Sequence, residues 1–569
     1  MDVLLQTCAE LKIVTTSREC FGIKGEIEFP VSPMSLPENP QTQSLDQLLK
    51  SDAIRLFVDR AVVSFPRFAF TNNNASLVVE LCRRLDGIPL AIELAAARLK
   101  VLTLEQLVAR LDDCFQLLSG SKRTELPRHQ TLRATIDWSY NLLREQERAL
   151  QRRLSVFAGE CTLEAVEEIC SGEGIDRTDV LDLLSHLIDK SLVLMTEDKC
   201  AARYRLLETI RQYGLRKLDE VNETDVVRRR HIAYYLQLAE TIAPRINTAE
   251  RQYCLTVLGS EHDNMRAALR YAAQSGETEI EFRLCNALFF FWFYRGYWSE
   301  GRAWLADVLE RSSELGAEDL RGRAMQADGW LAVFMGDHQT ARTRLEESVS
   351  ILRQTGNTRE LAAALVFLAY EILANDHARA HALVEEGIDL LRQTGDKFAL
   401  AMSLNNSGTV AFVGKDYPAA HVRYAEAAEL GRELGDNLAL GASLRGLGIV
   451  AIRQREFSLA ASRLRESLLA LREIEDQWFM SRTLDTLAEM YSAQGAYERA
   501  ARLLGAAATA REAVGAVVFD FYRDEYERLI CTVRATLGEA AFNTAWTEGR
   551  VLLLHEAVAY ALNGIRSPS

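Results

Sequence analysis

"LRQTGN" at residues 352–357 returns as "LRQTGD" at 391–396, as "GRELGD" at 431–436 and as "LREIED" at 471–476. The interval is 39 or 40 residues each time. A second ladder keeps step with it through Ala341, Ala380, Ala420, Ala460 and Ala500. Three residues before the last three of these stand Tyr417, Phe457 and Tyr497, and nine before those aromatics stand Gly408, Gly448 and Ala488. Four residues after each ladder alanine comes a larger side chain: Leu345, Val384, Tyr424, Leu464 and Leu504. Only the register before Ala380 slips, by one residue. Small residues where two helices cross, with a large one at the turn, is the logic of stacked helix pairs. No pair can bury its own apolar face, so each neighbour completes the core of the last.

The ladder resembles tetratricopeptide repeats in a longer form, covering at least residues 322–510. Outward from it the pattern changes. "LKIV" (11–14) and "GEIEFPV" (25–31) read as short strands. From Ser44 apolar residues fall at helical spacings, as in "SLDQLLKSDAIRLFVDRAVV" and "SLVVELCRRLDGIPLAIELAAARLKVL". Pro89 starts the helix after the Gly87 turn, and Ala95–Ala97 offer a small-residue face for another element. Further helices are expected over 131–143, 145–157, 162–170 and 178–190. "SLVLM" and "ARYRL" then flank a polar turn as a hairpin would. Helices followed by a hairpin outline a winged helix-turn-helix.

Three stretches in order, "TTSRE" (15–19), "CRRLDGIPLAIELAAARL" (82–99) and "TLRATIDWSYNLLREQERALQRRLSVFAG" (131–159), resemble the back half of a bacterial STAND regulatory ATPase, related to NB-ARC modules and to LuxR-type regulators. The resemblance implies a mainly α chain: a remnant of an α/β NTPase sheet at 1–43, a helical lid domain at 44–119 and a winged helix at 120–222. A helical connector at 223–281, tetratricopeptide-like repeats at 282–515 and C-terminal capping helices at 516–569 complete it. Such proteins are switches whose repeats hold the ATPase closed until a ligand or partner arrives.

The ATPase chemistry is missing from this sequence. A phosphate-cradling loop needs a Gly-rich turn followed by Lys and Ser or Thr, and no G-x-x-x-x-G-K-[ST] occurs. A strand ending in paired acidic residues, which would hold Mg²⁺, is also absent. The expectation is a chain that begins after its catalytic half and is not an enzyme. It would use no cofactor, and ATP or ADP only if another chain supplied the front half. The resemblance carries two nucleotide-pocket remnants: Arg18 at the phosphate-sensing position and Pro89 beside the base. Leu207 stands where the family's sensing histidine would fall.

Bulk properties narrow the partners. Net charge is −14, from 66 Lys and Arg against 80 Asp and Glu, so a dispersed phosphate-binding surface is not expected. The helix expected at 177–191 carries Asp179, Asp182 and Asp189, which would repel a DNA backbone, and its Leu181, Leu184, Leu187 and Ile188 form a packing stripe. The best nucleic-acid candidate is the basic run Arg228, Arg229, Arg230, His231, read here as a solvated helix face. The ten cysteines make no metal-ligand spacing and suit a reducing cytoplasm, with no metal and no membrane partner. The aromatic run Phe289–Tyr294 reads as the core of the first repeat.

Partners are expected along the first-helix face of the repeats. Three residues before each small ladder residue stand Gln326, Asn405, Arg445 and Asp485, polar positions on otherwise apolar helices. A groove lined this way can grip an extended protein or peptide segment through hydrogen bonds. The sequence thus reads as a non-catalytic signal-transduction protein acting through its repeats. The alternatives are a transcriptional regulator touching DNA and half of an NTPase completed by another chain.

Overall fold

In the computed structural model, the described residues are 33–37, 44–97, 99, 102–109, 136–137, 139–190, 192–198, 201–248, 250–311 and 317–564. They fall into two compact units. One runs as far as Tyr235 and includes Glu261–Ala268; the other comprises Leu236–Ser260 and the chain from Leu269 onward.

In the first unit a single helical turn (Leu45–Leu48) precedes α1 (Asp52–Ser64), α2 (Ala75–Arg84), α3 (Pro89–Ala97) and α4 (Leu104–Ala109). Ile54, Phe57, Val78, Leu81, Leu85, Ile92 and Leu107 are its buried core. Ala95 and Ala96 are fully buried where α1 packs on α3. The turn between α2 and α3 is fixed by Gly87, at φ +64°. A Cβ there would lie 2.5 Å from the Met34 carbonyl oxygen, so only glycine fits.

The winged helix follows as α5 (Glu145–Leu154), α6 (Leu163–Cys170), α7 (Val180–Asp189), strands β1 (Leu194–Asp198) and β2 (Ala201–Arg205) and α8 (Glu208–Glu220), and α9 (Thr224–Ile242) comes after it. The strands pair antiparallel, Leu194 opposite Arg205, and are the only sheet among the described residues. A buried ionic knot ties α5 to the start of α9. Arg153 is wholly buried and donates to Glu223 (3.0 Å) and to the Cys170 carbonyl (2.9 Å), while Arg152 also grips Glu223 (3.1 Å). A buried guanidinium is tolerable only with such full pairing.

The second unit is helical throughout its described residues. After α10 (Arg251–Ser260) and α11 (His262–Ser275), which begins in the first unit, helices come in pairs: α12 (Thr278–Arg295) with α13 (Trp298–Arg311), α14 (Glu318–Met335) with α15 (His338–Thr355), and α16 (Thr358–Ile372) with α17 (His377–Thr394). Then come α18 (Lys397–Val413) with α19 (Tyr417–Leu434), α20 (Asn437–Arg453) with α21 (Phe457–Glu473), and α22 (Gln477–Ala493) with α23 (Tyr497–Ala513). α24 (Asp520–Leu537), α25 (Glu539–Val551) and α26 (Leu554–Gly564) end the description. This is the tetratricopeptide-like solenoid that the 40-residue period predicts. The slipped register has a physical form: α16 spans 15 residues where the first helices around it span 17 or 18.

Each ladder position does what its size suggests. All five ladder alanines, and all five large residues four places on, are completely buried. A Cβ on Gly408 would lie 2.7 Å from the Tyr424 ring, and one on Gly448 2.7 Å from Leu464. The hexapeptides that mark the repeat are helix stops fused to helix starts. Gly356, Gly395 and Gly435 end their helices at φ 75°, 72° and 67°, in the left-handed conformation glycine tolerates best. The next residue, Asn357, Asp396 or Asp436, turns its side chain onto a backbone N–H of the following helix. In "LREIED" the glycine is replaced by Glu475, which is nonetheless held at φ 52°.

Two expectations shift in detail. The packing stripe of α7 is Val180, Leu183, Leu184 and Leu187; Leu181 is 48% exposed and Ile188 half-buried. The basic run at 228–231 is not a uniform solvated face. His231 is fully buried against Phe157 and Tyr235, and Arg230 donates to the Ser171 carbonyl (2.6 Å).

Glycine carries little cost at φ 52°, whereas glutamate is strained there. Glu475→Gly is therefore expected to raise the free energy of unfolding by about 1 kcal/mol in chemical denaturation. Gly448→Val, which drives a branched side chain into Leu464, is expected to lower it by about 2 kcal/mol or more.

Candidate ligand-binding face of the repeat array

The first helices of the pairs are buried on nearly every side, and their remaining face lines two cavities within the second unit. One of them has a volume of about 450 Å³. Its walls are aromatic: Trp330 stacks on Phe367 with ring centroids 4.0 Å apart, and Phe293 meets Phe334 edge to face at 5.1 Å. The run expected to be core therefore divides. Phe291 and Trp292 are core, whereas Phe289, Phe290, Phe293 and Tyr294 line this cavity.

Polar side chains are interspersed among these rings, and not all of their atoms have partners. Gln326 and Asn405 both line it, as does Asn286. Asn286 Nδ2 donates to the Leu320 carbonyl, and Asn405 Nδ2 contacts Asn406 Oδ1 at 3.4 Å. Their Oδ1 atoms are buried without a hydrogen-bond partner. Two unused acceptors among aromatic rings suit a ligand that brings N–H groups. Arg251 is not available to such a ligand, being paired with Asp436 (3.0 Å) and lying over the Tyr294 ring.

Arg445 and Asp485 lie instead in the second cavity, also about 450 Å³, which α24 roofs. The segment leading into α24 lies along the first-helix face. Val517 N–H donates to the Phe334 carbonyl (3.2 Å), and Phe519 packs on Phe334, Tyr370 and Trp478 with centroids 5.3–5.5 Å away. Asp520 meets His338 (3.1 Å), Glu525 meets Arg453 (3.0 Å) and the Tyr526 hydroxyl accepts from Arg511 (2.8 Å). Asp485 is paired with Arg511. Burial raises the Asp485 carboxyl, and Arg511, Arg482 and Arg445 oppose that rise. So the four polar positions expected to form one groove are distributed between two cavities. Trp478, Arg482 and Phe519 line both. Sequence spacing found the first-helix positions but not the roof, because α24 reaches them from beyond the repeat.

The nucleotide-pocket remnants separate differently. Arg18 lies outside the described residues. Pro89 is exposed at the first position of α3, where its lack of an N–H costs nothing. The turn before it is held by Asp86, whose carboxylate accepts the Glu208 backbone N–H at the start of α8 and faces Arg205 (3.4 Å). Leu207 is the residue that precedes α8. In the winged helix, the outward face of α7 shows Leu181, Asp182, Ser185, His186 and Asp189.

Comparison with known proteins gives three findings. The family described as "Winged helix-turn-helix domain" matches residues 143–219. Over 370 residues the chain is 39% identical to "Putative HTH-type transcriptional regulator Rv0890c" of Mycobacterium tuberculosis, covering 64% of this chain and 40% of that protein. It is 41% identical over 232 residues to "Uncharacterized protein Rv0894" of the same organism, covering 41% of this chain and 56% of that one. The chain thus spans about half the length, or less, of these curated relatives. Among solved structures it is similar to a signal transduction ATPase with numerous domains (STAND) with a tetratricopeptide repeat sensor, from Pyrococcus horikoshii. There the identity is 15% and the TM-score 0.40, covering 87% of this chain and 75% of that one. A Rap protein complexed with competence and sporulation factor gives 11% identity and a TM-score of 0.41, covering 77% and 99%. Neither of these structural likenesses bears on function. Among the described residues no helix is long and apolar enough to cross a membrane.

Burial pushes the His231 imidazole down to about 3, with Asn264 working against it. The folded state therefore holds the neutral ring, while the unfolded chain protonates below about pH 6.5. The stabilisation is complete above that pH and is lost as pH falls toward 3. Between pH 7 and 5 this group alone is expected to remove about 2 kcal/mol. The difference in stability between wild type and His231→Phe, followed by denaturation at both pH values, should shift by that amount in favour of the variant.

Proposed function

We propose that this chain is a non-catalytic regulatory protein whose repeat array binds an extended protein or peptide segment along its first-helix face. The observation that carries the reading is the array's treatment of its own chain. Val517–Phe519 lie there with a backbone hydrogen bond to Phe334 and one aromatic anchor among three rings. A foreign segment placed in the open cavity would meet the same chemistry: aromatic walls for a side chain and the unpaired oxygens of Asn286 and Asn405 for backbone N–H groups. Gln326 and Asn405 belong to this contact. Arg445 and Asp485 act beneath α24.

The winged helix and the resemblance to STAND and LuxR-type regulators support a role in signal transduction within the cytoplasm. ATP or ADP would enter only where a phosphate-binding half is supplied by other sequence. In this reading the winged helix packs within its own unit, since the exposed face of α7 is acidic. A second reading, contact with DNA, is favoured by the winged-helix match at 143–219 and by the naming of the mycobacterial relative.

Selection of a displayed random-peptide library on the full chain, followed by calorimetry, tests the first reading. Peptides binding tighter than about 100 μM are expected, with about tenfold loss in Trp330→Ala and in Asn405→Ala. Failure to select any binder, or binding indifferent to both substitutions, would overturn it. Micromolar, Mg²⁺-dependent ATP binding by this chain alone would overturn its non-catalytic part. A salt-dependent mobility shift with duplex DNA, weakened by Arg229→Glu, would favour the second reading instead.

A further inference from the structure

The cavity beneath α24 has a chemistry unlike the aromatic one beside it. Five arginines line it, Arg445, Arg453, Arg482, Arg511 and Arg528, against three carboxylates, Asp485, Glu489 and Glu525. Two of the arginines are committed: Arg453 to Glu489 and Glu525, and Arg511 to Asp485 and Tyr526. Arg445 and Arg482 are not. They are 3% and 8% exposed, and neither forms an ion pair with a described carboxylate. Arg445 Nε and Arg482 Nη2 are buried without an acceptor. Arg482 rests instead on rings, 5.8 Å from the centroid of Trp478, 5.2 Å from Phe519 and 5.3 Å from Tyr522. Ring faces attract a cation but supply no hydrogen-bond acceptor of the strength a guanidinium needs. The Tyr522 hydroxyl faces Arg445 and shares a hydrogen bond with it, and the Asp485 and Glu489 carboxylates lie near enough to feel its charge, but Arg445 Nε stays unpaired.

Two desolvated guanidinium groups, each with an N–H left without an acceptor, line one cavity, and an anion placed there would satisfy both. A third orphan defines the ligand further. Asp485 uses Oδ2 for Arg511, and its Oδ1 is buried with no partner. Asp485 lies one turn from Arg482 on α22, so the acceptor stands beside the donors. The remaining lining includes Ile449, Val518 and Leu529.

We propose that this cavity binds a small carboxylate that also carries a neighbouring N–H or O–H donor and an apolar body: an α-amino acid or a 2-hydroxy acid with a bulky side chain. The carboxylate takes Arg445 and Arg482, the donor takes Asp485 Oδ1, and the body lies on the apolar lining. α24 closes over it. Of its eighteen residues only Val533 is buried, and Tyr522, Glu525 and Tyr526 are among those it turns to the cavity. This site shares Trp478, Arg482 and Phe519 with the peptide cavity, but its arginines and Asp485 stand whether or not a peptide binds there.

The test uses the full chain with free L-phenylalanine, L-leucine, L-tryptophan, their 2-hydroxy analogues, and the corresponding amino amides, which lack the carboxylate. Binding is read by calorimetry and by slowed hydrogen exchange across residues 520–530. At least one amino or hydroxy acid is expected to bind at submillimolar concentration, and its amide at least about tenfold more weakly. Arg445→Gln and Arg482→Gln should each lower affinity by about tenfold or more, with Arg482→Lys intermediate. Binding by hydroxy acids alone, or by amino acids alone, identifies which donor is used and supports the site. No binding by any acid up to about 10 mM overturns the proposal, as does equal binding of acid and amide. Affinity unchanged by both arginine substitutions overturns it too. If a substituted chain does not fold, the acid-against-amide comparison on the wild-type chain decides.

Discussion

Where Gly408 passes Tyr424, and Gly448 passes Leu464, there is no room for a Cβ. The repeat array depends on that close approach. A helix that gives up a side chain at the crossing lets its partner's large residue reach the axis, and the buried contact holds the two together. The same exchange recurs between Gly329 and Leu345, where a Cβ would lie 2.7 Å from the leucine. Because the second helix spends its large residue inward at each crossing, the first helix is enclosed and has one face left over. That face is where both cavities lie.

Polar residues on so enclosed a face cannot be neutral in effect. Asp436 is offset by Arg251, and Asp328 by Arg302 and Arg344. Where pairing is complete, as at these sites, the charge serves as a rivet between helices. Where it is incomplete, at Arg445, Arg482, Asn286 and Asn405, the desolvation cost stays unmet within the chain. Buried polar atoms without a partner occur elsewhere too, as at Ser443 and Arg465, but at these four residues they belong to a cavity lining with room for an occupant.

The repeat was legible because its period is long and its registers are redundant. Five alanines and their large partners fix the helix pairs, and all ten prove to be buried. The hairpin was legible from its polar turn, although its strands begin three residues later and end one residue earlier than the flanking runs suggested. α7 was placed well but misphased: Leu181 and Leu183 are equally apolar, and only the packing of α5 and α6 selects Leu183. His231 was misread because three arginines precede it, while the helix turn that buries it faces Phe157. The cavities themselves were not legible. Their shape depends on α24 meeting helices up to about 180 residues earlier in the chain, as Asp520 meets His338, and no local pattern encodes that return.

Trp478, Arg482 and Phe519 serve as a party wall, one surface facing the aromatic chamber and the other the arginine-lined one. An occupant that shifts this wall on one side changes the room on the other. Whatever factor the first guest applies to the second guest's affinity, the second applies to the first's, by reciprocity. Three side chains thereby link the occupancy of one chamber to that of the other.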